Sequence, residues 1–276
     1  MTASAYKFAG AIVTGSFGFG IMLTGALAAD IESGCIPAVS GLNGKIEGAG
    51  GYYEDEVDDG ARFQGVASLS LPVGCLFGIQ IDLGAGDLDG DGFYGAGGHF
   101  FMRDPESYLL GVHAQYIDLD GDDIFRFGPE AELYLGDITL SAMAGYESAD
   151  DFGSDDVVAQ IEAAYYVGED FKLYGGYRRF LDIDAGAIGF EFQPEFIPGS
   201  VFVDGMVGSD DYVSIMGGLR FYFGADDKSL KARHREDDPG HYFNLLTRVA
   251  DEDACVPLQI DDSCSCSGRV QKCQIP

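Results

Sequence analysis

The chain has 276 residues, 46 Asp and Glu against 16 Lys and Arg, and a formal net charge of −30. That balance excludes a nucleic-acid grip and direct electrostatic docking onto anionic lipid. A single long uncharged apolar stretch occurs, at the start of the chain, which excludes a helical membrane bundle.

Residues 1–29 read as a secretory signal. Lys7 is the sole charge before Asp30, residues 8–28 are apolar, and Ala26-Leu27-Ala28 supplies the small residues of a cleavage site before Ala29 or Asp30. The stretch is long enough for a transmembrane anchor, but its glycines and cleavage-type end favour removal. Cys35 follows Glu32-Ser33-Gly34, which lacks the apolar residue of a lipid-attachment site.

From residue 43 onward the chain alternates apolar and polar residues in about twelve runs. They centre on 43–53, 61–71, 76–85, 93–103, 108–118, 124–134, 138–148, 157–167, 171–181, 185–193, 200–208 and 212–223. Each has the length a tilted strand needs to cross a bilayer, about 9–11 residues. The turns between them alternate in chemistry. Every other one is acidic: Glu54–Asp59, Asp87–Asp91, Asp118–Asp123, Glu147–Asp156, Asp182–Asp184 and Asp210–Asp211. In an up-and-down antiparallel sheet this gathers all six acidic patches on one rim and the tight turns on the other. The predicted fold is therefore all-β: a transmembrane β-barrel of about twelve strands over 30–223, with a short periplasmic tail at 224–276.

The alternation has a defined sense. Ile79, Ile81 and Leu83 share one face and Gln80 and Asp82 the other; Glu130 and Glu132 oppose Ala131, Leu133 and Leu135. A soluble barrel alternates too, with its apolar face inward. The charged residues on the polar face, the Gly and Ala on the apolar face and the export signal favour lipid outside. Aromatics fall near strand ends: Tyr52, Phe93, Tyr116, Phe125 and Tyr146 toward the acidic rim, and Phe101, Tyr134, Tyr165, Phe171, Phe192 and Phe221 toward the other. This is the pattern of two interfacial belts.

With the apolar face on lipid, the candidate pore-lining residues are Lys45, Glu47, Asp82, His99, His113, Glu130, Glu132, Glu162, Lys172, Arg178, Glu191, Asp204 and Arg220. Acids outnumber bases, so the bases are expected to pair with carboxylates. Twelve strands lie between filled eight-stranded barrels and open sixteen-stranded ones. A narrow opening leaning toward cationic or neutral small solutes is expected. The alternative is a closed structural or surface-interaction barrel. His99 and His113 with Asp82 or Glu130 could make an acid–base pair, yet no nucleophile motif accompanies them, and no enzymatic role is expected.

On the rim, Asp87-Leu88-Asp89-Gly90-Asp91-Gly92 matches the first half of a calcium loop. Its second half fails, with Gly98 at the twelfth position. Asp118, Asp120 and Asp122 repeat the pattern, which Asp-Gly turn chemistry also accounts for. No cofactor is required. Weak Ca²⁺ or Mg²⁺ binding at Asp87, Asp89, Asp91, Asp118, Asp120 and Asp122 is the metal expectation.

At 216–223 the chain reads Met-Gly-Gly-Leu-Arg-Phe-Tyr-Phe. Gly218, Phe221 and Phe223 match the closing-strand signal of bacterial outer-membrane barrels. Met216 stands where a polar residue is usual, and the chain continues beyond the strand. The chain thus resembles the porin-like outer-membrane β-barrels, which implies an outer-membrane location, with lipid and small solutes as partners.

The tail turns basic and then acidic: Lys228, Lys231, Arg233, His234 and Arg235 precede Glu236-Asp237-Asp238-Pro239. Residues 224–243 read as a short helix or linker outside the barrel. Cys35, Cys75, Cys255, Cys264, Cys266 and Cys273 all fall on the tight-turn side of this scheme. An even number in an oxidising compartment points to disulfides. Cys35–Cys75 is the pair that neighbouring strands allow; the pairing of the other four is open, and zinc held with His234 or His241 is the alternative.

Overall fold

The computed structural model describes residues 35–54, 59–149, 154–194, 199–209, 211–224, 228–237 and 239–246, and three short strands between 256 and 272. The signal-peptide expectation lies outside them. Twelve strands follow one another: β1 (Asn43–Glu54), β2 (Asp59–Val73), β3 (Phe77–Leu88), β4 (Asp91–Asp104), β5 (Tyr108–Leu119), β6 (Asp122–Leu135), β7 (Ile138–Ala149), β8 (Ser154–Tyr166), β9 (Phe171–Phe180), β10 (Ile183–Phe192), β11 (Gly199–Gly208) and β12 (Val213–Phe223). Each pairs antiparallel with its sequence neighbour, and β12 pairs with β1, with Gly44 opposite Phe223. The result is a closed up-and-down barrel. The polar/apolar period fixed its register, because a slip of one residue would turn every aliphatic side chain to the wrong face.

A helix, α1 (Leu230–Glu236), follows the barrel, and β13 (Val256–Pro257), β14 (Ser263–Cys266) and β15 (Arg269–Lys272) pair among themselves. Among the described residues no helix is long and apolar enough to cross a membrane; the strands do this instead, since a closed sheet satisfies every backbone polar group.

The exterior is greasy. Ile46, Ile81, Leu83, Val112, Ile161, Ile188, Val207 and Leu219 all face out, Ile188 with 73% of its surface exposed. A water-soluble barrel would hide these side chains. Here they form a continuous apolar band, which is what lipid solvates. Tyr52, Tyr116, Phe125 and Tyr146 stand outside toward the acidic rim, and Tyr165, Phe192 and Phe221 outside toward the other. Phe93, Phe101 and Tyr134 depart from the expected belts. All three point inward and are buried, because strand parity, rather than nearness to a strand end, decides the face.

At the acidic rim, Asp89-Gly90 and Asp120-Gly121 form two-residue turns with φ of 51°, 104°, 53° and 102°. Both central residues are left-handed, as the hairpin turn that matches strand twist requires, and Asp-Gly tolerates this best. The Asp87 carboxylate accepts the Gly90 N–H at 2.8 Å, and Asp118 does the same for Gly121. The acid at these positions is thus built into the turn.

Candidate functional site

The interior of the barrel is layered, and the chain's own C-terminal segment runs through it. Just past β12, Lys228 reaches Asp237 at 2.6 Å and Ser40 at 2.8 Å. Ser229 then caps α1, its hydroxyl accepting the Ala232 N–H. The helix lies on the tight-turn rim. Lys231 bonds Asp137 at 2.9 Å and Glu169 at 3.2 Å, and the Leu230 N–H bonds Asp170 at 3.0 Å. These carboxylates hold the Lys231 ammonium above its usual pKa, Asp137 foremost. Arg235 donates to the Gly136 and Ile138 carbonyls, both at 2.9 Å, and stacks over Tyr134 and Tyr166. The basic run of the tail is therefore a docking face for the turns between β6 and β7 and between β8 and β9.

Residues 239–246 then enter the lumen. The expected short helix outside the barrel is α1 on the rim; the expectation that 239–243 also lies outside is corrected here. The Pro239 carbonyl accepts from Lys45 and Gln80 at 3.4 and 3.2 Å, near the tight-turn ends of β1 and β3. His241 meets Glu47 at 3.1 Å, and the Tyr242 hydroxyl donates to Glu130 at 3.1 Å. The Phe243 and Leu246 carbonyls both accept from the Arg62 guanidinium at 2.9 Å. Phe243 lies against Gly84, where a Cβ would come within 2.6 Å of the ring; the wall leaves out a side chain where the segment brings one.

Phe243, Leu245 and Leu246 complete an apolar layer with Tyr53, Leu88, Phe93, Leu119, Ile124, Phe180, Ile183 and Tyr212, all at the acidic-rim ends of their strands. Each is buried inside the barrel. The physical reason the segment goes in is plain: Tyr242-Phe243-Asn244-Leu245-Leu246 is an uncharged island in a charged tail, and the upper lumen offers it a matching apolar wall.

Below that layer the lumen is polar and paired. His99 sits between two carboxylates, Nε2 3.1 Å from Asp82 and Nδ1 2.9 Å from Glu130, an arrangement in which both nitrogens can donate only from the imidazolium. Arg178 forks onto Asp204 at 2.6 and 2.8 Å. Arg220 bridges Glu47 at 2.7 Å and Glu191. Lys172 meets Glu162 at 3.1 Å. His113 contacts the Tyr242 ring edge-on, with centroids 4.9 Å apart. Glu132 accepts from Tyr134 at 2.7 Å.

All thirteen candidate pore-lining residues thus sit on the inner face. Four inner charges escaped the sequence reading: Arg62, Arg103, Arg126 and Glu147. Arg126 pairs with Glu147 at 2.5 Å, and Glu147 also accepts the Leu181 N–H at 2.6 Å. Counting in twos along the strand, one step from buried Gln64 and two steps from Glu130 through Gly128, would have found Arg62 and Arg126. With them included, Glu47, Asp82, Glu130, Glu132, Glu147, Glu162, Glu191 and Asp204 face Lys45, Arg62, Arg103, Arg126, Lys172, Arg178 and Arg220. The lumen wall is close to charge balance, whereas an excess of acid was expected.

A cavity of about 150 Å³ remains, lined by Glu47, Glu132, Glu162, Arg178, Glu191, Arg220 and His241 among others. Among the described residues no group of three or more His, Cys, Asp or Glu is placed to hold a metal ion. Cys35 and Cys75 form a disulfide that ties the chain before β1 to the β2–β3 turn. The side chains of the tail cysteines lie outside the described residues, and His234 bonds Tyr166 at 2.9 Å and Glu191 at 3.3 Å.

No family model and no curated protein matches the sequence. Solved structures do match the fold. The KdgM porin in complex with disordered oligogalacturonate superposes with a TM-score of 0.50 at 7% identity, covering 65% of this chain and 99% of that one. The fold is that of a porin-like outer-membrane β-barrel. Looser likenesses include the KdgM porin alone, with a TM-score of 0.49 at 6% identity over 65% of this chain and 99% of that one. Omp33 from Acinetobacter baumannii gives 0.43 at 13% identity, over 66% of this chain and all of that one. At these identities the likeness speaks to architecture alone. Together with the apolar exterior, the barrel architecture places the protein in an outer membrane.

Proposed function

We propose that this porin-like barrel is held shut by its own C-terminal segment and carries small solutes only when that segment leaves the lumen. The observation that carries the reading is Arg62 gripping the Phe243 and Leu246 carbonyls, with their side chains sealed in an apolar layer. An apolar layer this close-packed has no path for a hydrated solute. Once it is withdrawn, a twelve-stranded wall lined by alternating charges is wide enough for small solutes. The balanced wall gives little ion preference of its own, so any leaning toward cationic or neutral solutes rests on the acidic rim. That KdgM is seen with an oligogalacturonate gives acidic oligosaccharides as one class to try. The density of carboxylates on the rim is the sole support for weak, millimolar-class affinity for Ca²⁺ or Mg²⁺ there, and a calcium titration without binding heat would remove that part.

Liposome swelling tests the closed state. Proteoliposomes with the intact chain should resist swelling in small neutral sugars. Chains ending at Asp237, confirmed as folded by heat-modifiable gel mobility, should swell. Equal swelling of the two would overturn the proposal.

A further inference from the structure

Residues 239–246 cross the barrel once, in one direction. Pro239 is held by Lys45 and Gln80, near the tight-turn rim. Leu246 is held by Arg62, near the acidic rim, and packs with Leu88, Leu119 and Phe180 at the tops of their strands. Seven peptide steps reach at most about 25 Å, enough to cover that height with the Tyr242–Leu245 turn included. Among the described residues the lumen leaves no room for a second pass. The upper lumen is filled by inward aliphatics and aromatics, and the cavity below holds about 150 Å³ walled by paired charges.

We infer that the chain is threaded through its own barrel, so that the C-terminal module containing β13–β15 is displayed beyond the acidic rim, across the membrane from α1. The barrel then has a second role, as the export anchor of its own cysteine-containing tail. Both ends of the barrel wall, Asn43 and Phe223, lie at the tight-turn rim. An exported chain starts in the periplasm, so that rim is periplasmic and the acidic rim faces the cell's surroundings. Cys264 and Cys266 alternate with serines on β14, with Gln271 and Arg269 opposite them. On this assignment the tail cysteines leave the tight-turn side on which Cys35 and Cys75 remain. The inference needs only the threaded geometry and holds whether or not the segment ever withdraws.

Antibody access on intact cells tests it, with three full-length versions of the protein. One carries an epitope after Pro276, one within the acidic-rim turn at Asp120-Gly121, and one within residues 195–198, between β10 and β11. The C-terminal epitope should stain intact cells as the 120–121 epitope does, while the 195–198 epitope stains only after the outer membrane is permeabilised. A C-terminal epitope that behaves like the 195–198 one would overturn the inference. An antiserum against the peptide 261–276, applied to cells making the unaltered protein, gives the same readout free of any insertion. Staining of intact cells supports threading, and staining only of permeabilised cells refutes it.

Discussion

Phe243 and Gly84 form a matched pair whose energetics can be worked from the structure. Phe243 is fully buried, and its ring occupies the space that a Gly84 side chain would take. Phe243→Ala removes a buried aromatic and leaves a hole that the rigid strands cannot close, at a cost of about 3–5 kcal/mol to segment docking. Gly84→Ala drives a Cβ into the ring, at a cost of about 1–3 kcal/mol. The two losses should not add. With Ala at 243 the clash has no target, so Gly84→Ala in that background should cost less than it does alone, a coupling of about 1 kcal/mol or more. Native-state hydrogen exchange of a peptide spanning 239–246 reads the docking equilibrium, because the segment opens without the barrel unfolding. Phe243→Ala should speed that exchange by roughly 100- to 4,000-fold, at about 1.4 kcal/mol per tenfold. The twelve strands should be unaffected. Additive effects, or exchange rising equally in the strands, would refute the reasoning.

Further outcomes follow from the same geometry. Arg62→Ala leaves the Phe243 and Leu246 carbonyls without their donor and should loosen the segment by about 1–3 kcal/mol, read as faster exchange of 239–246. Arg178→Ala strands the Asp204 carboxylate inside the wall and should cost about 3–5 kcal/mol of barrel stability in a urea titration. Arg178→Ala with Asp204→Asn should recover part of that loss. Cys75→Ser opens a link between positions 40 residues apart in sequence and should lower stability by up to about 4 kcal/mol, measured against the reduced wild type as control. Docking of α1 should also carry an alkaline limit. The Lys231 pKa is raised by Asp137 and Glu169, so its contribution is complete below the unfolded value of about 10.4. It is lost as pH rises through the higher folded value; a loss beginning near neutral pH would contradict the assignment.

The barrel was legible in the sequence because its signal is repeated. Period-two alternation and acidic turns recur around the whole wall, and the observed strand ends fall within three residues of those predicted. Parity also put residues as far apart as Lys45 and Arg220 on one face. Legibility failed where a single event decides. Arg62, Arg103 and Arg126 stand near the strand ends, where charge reads as turn, although parity carries them inside. Phe93, Phe101 and Tyr134 look like belt residues until their parity is counted. The lumen segment left one local sign, the uncharged island at 242–246 in a charged tail. Its fit depends on Gly84 and Arg62, far away in sequence, and no periodic pattern points to them.

Single-channel recording in planar bilayers tests the central claim most directly. The intact chain should remain silent, and the chain ending at Asp237 should give discrete conductance steps. Steady open channels from the intact chain, with the same conductance as the shortened one, would contradict a lumen closed by its own C-terminal segment.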